Sequence, residues 1–330
     1  MAVAGRGQSR PAGAADLVLR HAADANADAV AASRIITAAL NDLAAKQGRP
    51  PLSGPEDHAA PALSHVIGTG GPRFYLACDA ERPVAFGAGL VRGSFSWCAG
   101  LFVLPEWQRR GLGQRLFEAA LEGLPVPGGV TALTSSAANP VANRLYARHG
   151  VYPQYALLVL RGPTSPAGGP APARAEPRAG RAAGLEAEPI GAAHLAELRE
   201  IDGVVLGFDR TPDHLWFLSR PEHPGWLFRR RGRAVGYAYL GGDETEGEGS
   251  VGPVATLQPR DQAAALRFVV GELAARGRGQ AAVVVPGPNL TAQRALWEAG
   301  FSFEGASGLL CASRPFARFD RYLLAGDSIM

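Results

Sequence analysis

"FVLPEWQRRGLGQRL", Phe102 to Leu116, joins an apolar run to an amphipathic one through a loop punctuated by glycine. The first part reads as a strand that ends at Pro105, and "GQRLFEAALEGL" reads as a helix. Between Gln108 and Gly113 the chain opens directly into that helix. Such a loop turns several backbone N–H groups toward one point, and the helix N-terminus adds partial positive charge. Gly111 and Gly113 carry no side chain to hold an anion such as a diphosphate away from the backbone. Arg109 and Arg110 add cationic groups. A Gly-x-Gly turn alone is an ordinary strand-to-helix connection, so its meaning depends on what surrounds it.

Upstream, "LVLRHA" reads as a short strand and Asp28 to Gln47 as a helix, with Ile35, Ile36, Leu40 and Leu43 at helical spacing. "PRFYLACD", "PVAFGAGLVRG" and "SFSWCAGLFVL" read as strands. Downstream, "GVTALTSS" is a strand, "NPVANRLYARHG" a helix and "YPQYALLVL" a closing strand. Helices between strands predict a mixed α/β layer, an α+β arrangement with helices flanking a twisted sheet.

The stretch 163–184 is rich in Pro, Ala and Gly with no apolar period, and reads as a linker. It divides a flexible tail (1–13) and a first domain (14–162) from a second domain (185–330). The second repeats the outline of the first. "NPVANRLYARHG" (139–150) and "NLTAQRALWEAG" (289–300) align at a shift of 150, matching at Asn139/Asn289, Ala142/Ala292, Arg144/Arg294 and Gly150/Gly300. Two units of one fold are expected.

The loop resembles the acetyl-CoA signature of the GNAT acyltransferase superfamily, Gln/Arg-x-x-Gly-x-Gly/Ala. Gln108, Arg109, Arg110, Gly111, Leu112 and Gly113 fill it without a gap. "NPVANRLYARHGV" resembles the superfamily's next motif, departing only at Val151, where the pattern has Phe. The resemblance implies two tandem GNAT folds and an N-acetyltransferase that moves acetyl from acetyl-CoA to an amine by direct attack, with no metal. It also implies the site: the β-edge at Leu101, Phe102 and Val103 for the pantetheine arm, Gln108–Gly113 for the diphosphate, Asn139 beside them, and Tyr146 at the sulfur. A phenol of ordinary pKa about 10 suits a general acid toward a departing thiolate. For the base the strand "SFSWCAGLFV" offers no carboxylate. Glu106 and His149 read as solvated, Cys98 as a small core residue, and water or the neutral amine is left as the proton acceptor. The alternative is a non-catalytic acyl-CoA-binding sensor.

The second copy departs where chemistry is expected. At the same shift Gly111 becomes Asp261, Gly113 becomes Ala263 and Tyr146 becomes Leu296, while Pro259 removes an amide donor. A carboxylate placed about 5 Å from a phosphate costs about 3 kcal/mol at an effective dielectric near 20. The second unit is therefore expected to have lost cofactor binding, and Trp297, beside the lost Tyr position, is expected in the core. Arg314–Gly326 is expected to pack back as an extra strand or across the other half.

The bulk numbers narrow the partners. With 330 residues, 47% hydrophobic and 19% charged, the chain can bury two cores. No apolar run is long enough for a membrane span. The net charge of +3 and a single lysine, Lys46, argue against nucleic acid. Cys78, Cys98 and Cys311 form neither metal spacing nor a disulfide framework, so a cytoplasmic setting is expected. The expected partner is an amine, a small molecule before a protein, and the chain is expected as monomer or homodimer.

Overall fold

The computed structural model describes residues 17–52, 54–165, 180–182, 184–241, 247–303 and 308–326. The tail and most of the expected linker fall outside them. The first half runs β1 (Val18–His21), α1 (Ala25–Lys46), α2 (Ala60–Thr69), β2 (Phe74–Asp79), β3 (Arg82–Arg92), β4 (Phe95–Val103), α3 (Leu112–Ala120), β5 (Val130–Ser136), α4 (Pro140–Arg148) and β6 (Tyr152–Pro163). The second runs β7 (Gly180–Ala182), β8 (Leu185–Pro189), α5 (Leu195–Val205), α6 (Thr211–Leu218), β9 (Gly225–Arg230), β10 (Arg233–Leu240), β11 (Glu248–Thr256), α7 (Pro259–Ala275), β12 (Gln280–Pro286), α8 (Leu290–Glu298), β13 (Ser302–Phe303), β14 (Gly308–Ala312) and β15 (Tyr322–Leu323).

Local chemistry explains the helix starts. Asp24 caps α1, accepting from the amides of Asn26 and Ala27 at 2.8 and 2.9 Å. Ala29, Ala32, Ile35 and Ile36 form its buried face. Helix α2 is not among the expected elements. It is ten residues long, with Pro in its first turn, and Leu63 and Val66 bury it against the sheet.

The two halves share one sheet. Its order is β1-β2-β3-β4-β5-β14-β6-β12-β11-β10-β9-β8-β7. The closing strand β6 does not pair with β5. It runs antiparallel to β12, with Leu160 opposite Val283. Strand β14 takes the place beside β5, with Cys311 opposite Leu133, and pairs on its other edge with β6. The halves have exchanged their last strands, and the exchange is reciprocal. Leu133 and Val283 are related by the shift of 150, and their partners Cys311 and Leu160 by 151. The compositional boundary at 162 is thus crossed by the sheet in both directions. Packing reinforces the crossing: a Cβ on Gly162 of β6 would lie 2.5 Å from the ring of Phe301, which follows α8.

On one face of the sheet α1 and α2 meet α5 and α6 over a common core that includes Ile35, Leu63, Trp97, Leu198, Ile201 and Phe217. Phe95 and Phe208 stack across the halves at 4.1 Å. A buried ionic knot crosses the same seam. Asp213 Oδ1 accepts from Arg92 Nη2 at 2.6 Å and lies 2.8 Å from His65 Nε2, both in the first half. Arg210 lies beside it, with Nε 3.6 Å from Asp213 Oδ2, and donates to the Tyr322 hydroxyl. Asp202 accepts from Tyr237 at 2.5 Å and lies 2.8 Å from His214. Arg92 and Trp97 are both buried.

Burial alone would raise the Asp213 carboxyl, but the hydrogen bond from His65 and the charges of Arg210 and Arg92 outweigh it and hold it well below the usual carboxylate range. The native value lies below the unfolded one. The stabilisation is therefore complete above about pH 4 and is lost as pH falls through the depressed value. Asp213→Asn leaves two buried guanidinium groups without that counter-charge. It should lower the unfolding free energy at pH 7 by about 3–5 kcal/mol in urea denaturation. The difference from the native chain should shrink below about pH 4.

Candidate active site

Strands β4 and β5 run parallel only from Phe95/Val130 to Cys98/Leu133. At that level an extra residue, Ala99, interrupts the register of β4 against β3, which goes from Gly89/Cys98 to Ala88/Gly100. Beyond the bulge β4 diverges from β5. The β5-facing edge of residues 99–103 has no strand partner among the described residues, while β5 continues against β14. Leu101, Phe102 and Val103 lie on that edge and are half-buried. Leu101 and Val103 pack toward α3, and Phe102 stacks at 5.7 Å on Phe86 on the other face.

The loop after β4 closes the end of this slot. Arg109 and Gly111 both have left-handed backbone, with φ of 60° and 81°. For an arginine this costs on the order of 1 kcal/mol or more and is kept only where the surroundings impose it. Two left-handed residues in three fold the loop onto the start of α3, where buried Leu112 anchors it. The first-turn amides of α3, including Leu112 and Gly113, have no partner within the helix.

Other loop residues have structural tasks. The Gln108 carboxamide donates to the Val103 carbonyl at 3.1 Å, tying the loop to the strand edge, and its amide donates to Pro105 O at 3.3 Å. The Arg110 guanidinium lies 4.8 Å above the Trp107 ring and donates to Glu106 O at 2.9 Å. Arg109 is exposed. Asn139 caps α4, accepting from the Ala142 amide at 3.1 Å. Asn143, absent from the sequence reading although one turn further on, ties α4 to β5. It accepts from Ser135 Oγ at 2.7 Å and donates to Ser136 O at 3.0 Å.

Tyr146 lies on the inner face of α4, 6% exposed, its ring 5.4 Å from Phe117. Around it are Cys98, Leu121, Leu133, Val151 and Cys311. Burial raises its phenol well above the ordinary value, and the thiols of Cys98 and Cys311 add to the shift. The phenol therefore stays protonated throughout neutral pH. Cys98, whose thiol is turned to Gly100 O at 3.8 Å, is pushed up to about 12 by burial. Glu106 is exposed beside Arg82, and His149 is exposed beside Glu118 and Phe117.

The acetyltransferase (GNAT) family model matches residues 38–151, the span that contains the splayed strands, the loop and Tyr146. The match lies wholly within the first half of the chain, which is similar to that family over this span. The fold extends over the whole chain. A candidate acetyltransferase from Pyrococcus horikoshii superposes with TM-score 0.67 at 16% identity, covering 95% of this chain and 96% of that one. A GCN5-related N-acetyltransferase from Sphaerobacter thermophilus gives 0.56 at 20% identity, over 91% and 96%. A tandem GNAT protein from the clavulanic acid biosynthesis pathway gives 0.55 at 16%, over 91% and 99%. At these identities the likeness concerns the fold. No curated protein sequence matches the chain.

The second GNAT-like unit differs at each feature. Helix α7 begins at Pro259, with only two residues between it and β11, so the glycine loop is replaced by a helical turn. Asp261 does not face an anion site, as its alignment suggests. It is buried in that turn, and its Oδ1 accepts from Arg230 at 2.7 and 3.0 Å. The cradle is lost through the missing loop, and the expected repulsion is already neutralised by Arg230. Strand β11 also diverges from β12 after Val251/Val283, but here β15 fills the gap, with Tyr322 opposite Ala255 and Leu323 opposite Val254. Asn289, the counterpart of Asn139, donates to Tyr322 O at 3.3 Å and holds this strand in place. Strand β15 realises the extra strand expected within 314–326. Leu296 is buried in place of Tyr146, whereas Trp297 is half-exposed rather than core.

All three cysteines are buried and free. Burial pushes the Cys311 thiol up to about 11. Burial shields all three side chains from reagents in solution. A disulfide-exchange reagent should therefore find no rapidly reacting thiol in the native chain and three after denaturation.

Proposed function

We propose that the chain transfers acetyl from acetyl-CoA to an amine, with one site per chain, in the first unit. The observation that carries this reading is the splay of β4 from β5, closed at one end by the left-handed loop and backed by Tyr146. In this reading the unpartnered edge at 99–103 takes the extended pantetheine arm as a strand would be taken. The amides from Arg109 to Gly113 take the diphosphate, with positive potential from the start of α3. Gln108 holds the loop to the strand, and Asn139 fixes the start of α4.

The amine nitrogen forms its bond to the thioester carbonyl carbon, the carbon–sulfur bond breaks, and the sulfur leaves with the electron pair. Tyr146 donates a hydrogen bond and then a proton to that sulfur, and the proton on nitrogen passes to water. No carboxylate is required, because holding two reactants in line supplies much of the rate. The acceptor in this reading is an amine, on a small molecule before a protein.

Calorimetric titration with acetyl-CoA should give one site per chain, and Gly111→Asp should abolish it. Two sites, or none, would contradict the assignment. In steady-state assays with an amine found by screening, Tyr146→Phe should lower kcat roughly 10²-fold with little change in binding. An unchanged kcat would point to a non-catalytic role for Tyr146. Binding without any product would favour an acyl-CoA sensor. Because the phenol is raised, the alkaline fall of kcat due to Tyr146 should lie above its ordinary range of about 10.

A further inference from the structure

The side chains beneath Tyr146 come from three adjacent strands at one level. Cys98 on β4 is opposite Leu133 on β5, and Cys311 on β14 is opposite the same Leu133. Strands lie about 4.8 Å apart, so the two cysteines are separated by about 9–10 Å. That is too far for a disulfide. They flank Leu133 on the face covered by α4. One of the two belongs to the second half and reaches the first unit only through the strand exchange.

The duplication supplies an internal control. In the second unit the same three places are held by Val251, Val283 and Leu160, paired in the same way, and Leu296 stands where Tyr146 would be. Where the phenol is present, its seat has two thiols. Where the phenol is gone, both places are filled by branched aliphatics. A leucine in place of Cys311 would fill the space taken by the phenol, whereas a sulfur is small and polarisable, and its S–H is a weak donor.

We propose that Cys311, carried into the first unit by β14, is a positioning residue for Tyr146, so that the second half completes the acyl-transfer site of the first. This rests on the reading of Tyr146 as the donor to sulfur. It gives the second unit a task that needs no cofactor of its own: it supplies part of the seat that aims the phenol. It also accounts for the retention of β14 beside β5 rather than beside its own β12.

The test uses the full chain and two probes, coenzyme A and desulfo-coenzyme A, which share the diphosphate and the arm and differ only at sulfur. A hydrogen bond from Tyr146 should make coenzyme A bind about fivefold tighter than the desulfo compound. Tyr146→Phe should erase that ratio. Cys311→Leu should also erase it while leaving the desulfo affinity unchanged, and should have no further effect in the Tyr146→Phe background. Leu160→Cys, the mirror change in the second unit, should leave the ratio intact. If Cys311→Leu does not fold, Cys311→Ala removes the sulfur without added bulk and carries the same comparison. A ratio that survives substitution at Cys311 but not at Tyr146 overturns the proposal and leaves the Tyr146 reading standing. Equal weakening of both probes by Cys311→Leu also overturns it, since the effect would be general. A ratio of one in the native chain, or one unaffected by Tyr146→Phe, removes the Tyr146 reading and the proposal with it.

Discussion

The antiparallel pairing of β14 with β5, mirrored by β6 with β12, is the interaction on which the rest of the molecule depends. Each half contributes the strand that completes the other half's sheet. Neither β5 nor β12 has a covered far edge without a strand from the opposite unit, and an exposed edge invites wrong pairing. The common core of α1, α2, α5 and α6 and the ionic knot around Asp213 follow from this pairing, because it brings the helical faces of the two sheets together. The knot gathers Arg92, Arg210, Asp202 and Asp213 with His65 and His214. Such a group contributes less to net stability than to uniqueness of the arrangement, since a hydrophobic replacement is often equally stable.

The duplication also shows how one fold keeps open or fills a gap between two strands. Both units keep the divergence of two central strands, which leaves a run of backbone without a partner. In the first the run stays open and ends at the loop with left-handed Arg109 and Gly111. In the second the chain satisfies the run itself with β15, and the loop has become the first turn of α7. Two details keep the plug in place: the Asn289 side chain on Tyr322 O and the Arg210 contact with the Tyr322 hydroxyl. The asymmetry thus has a backbone cause, stronger than the substitution of any one loop residue.

Much of this was legible in the sequence. Apart from α2, the strands and helices from β1 to β6 follow periodicity, and Gly111 marks the loop because few other residues allow its left-handed backbone. The duplication at a shift of 150 is visible in the two "N…A…R…G" helices. What local pattern does not carry is the choice of partner for a strand. Strands β5 and β12 present similar edges, so β6 and β14 fit either, and the exchange is set by packing such as that of Gly162 on Phe301. For the same reason Cys311 could not be read as a neighbour of Tyr146 across 165 positions. Asp261 was misread because alignment by number assumed a loop of equal length. Trp297 was expected inside by its residue type, yet Leu296 holds the inward position of that helical turn.

The central claim is the strand exchange, and cross-linking tests it directly. Ala132 on β5 is opposite Ala312 on β14, whereas Ala282 on β12 is opposite Arg161 on β6. Without the exchange, Ala312 would face Ala282 instead. Mild oxidation of the Ala132→Cys/Ala312→Cys chain, followed by proteolysis and mass spectrometry, should give a disulfide between those two positions, and Ala282→Cys/Ala312→Cys should give none. The reverse outcome would mean that each half closes its own sheet, and the account of a site built by both halves would be wrong.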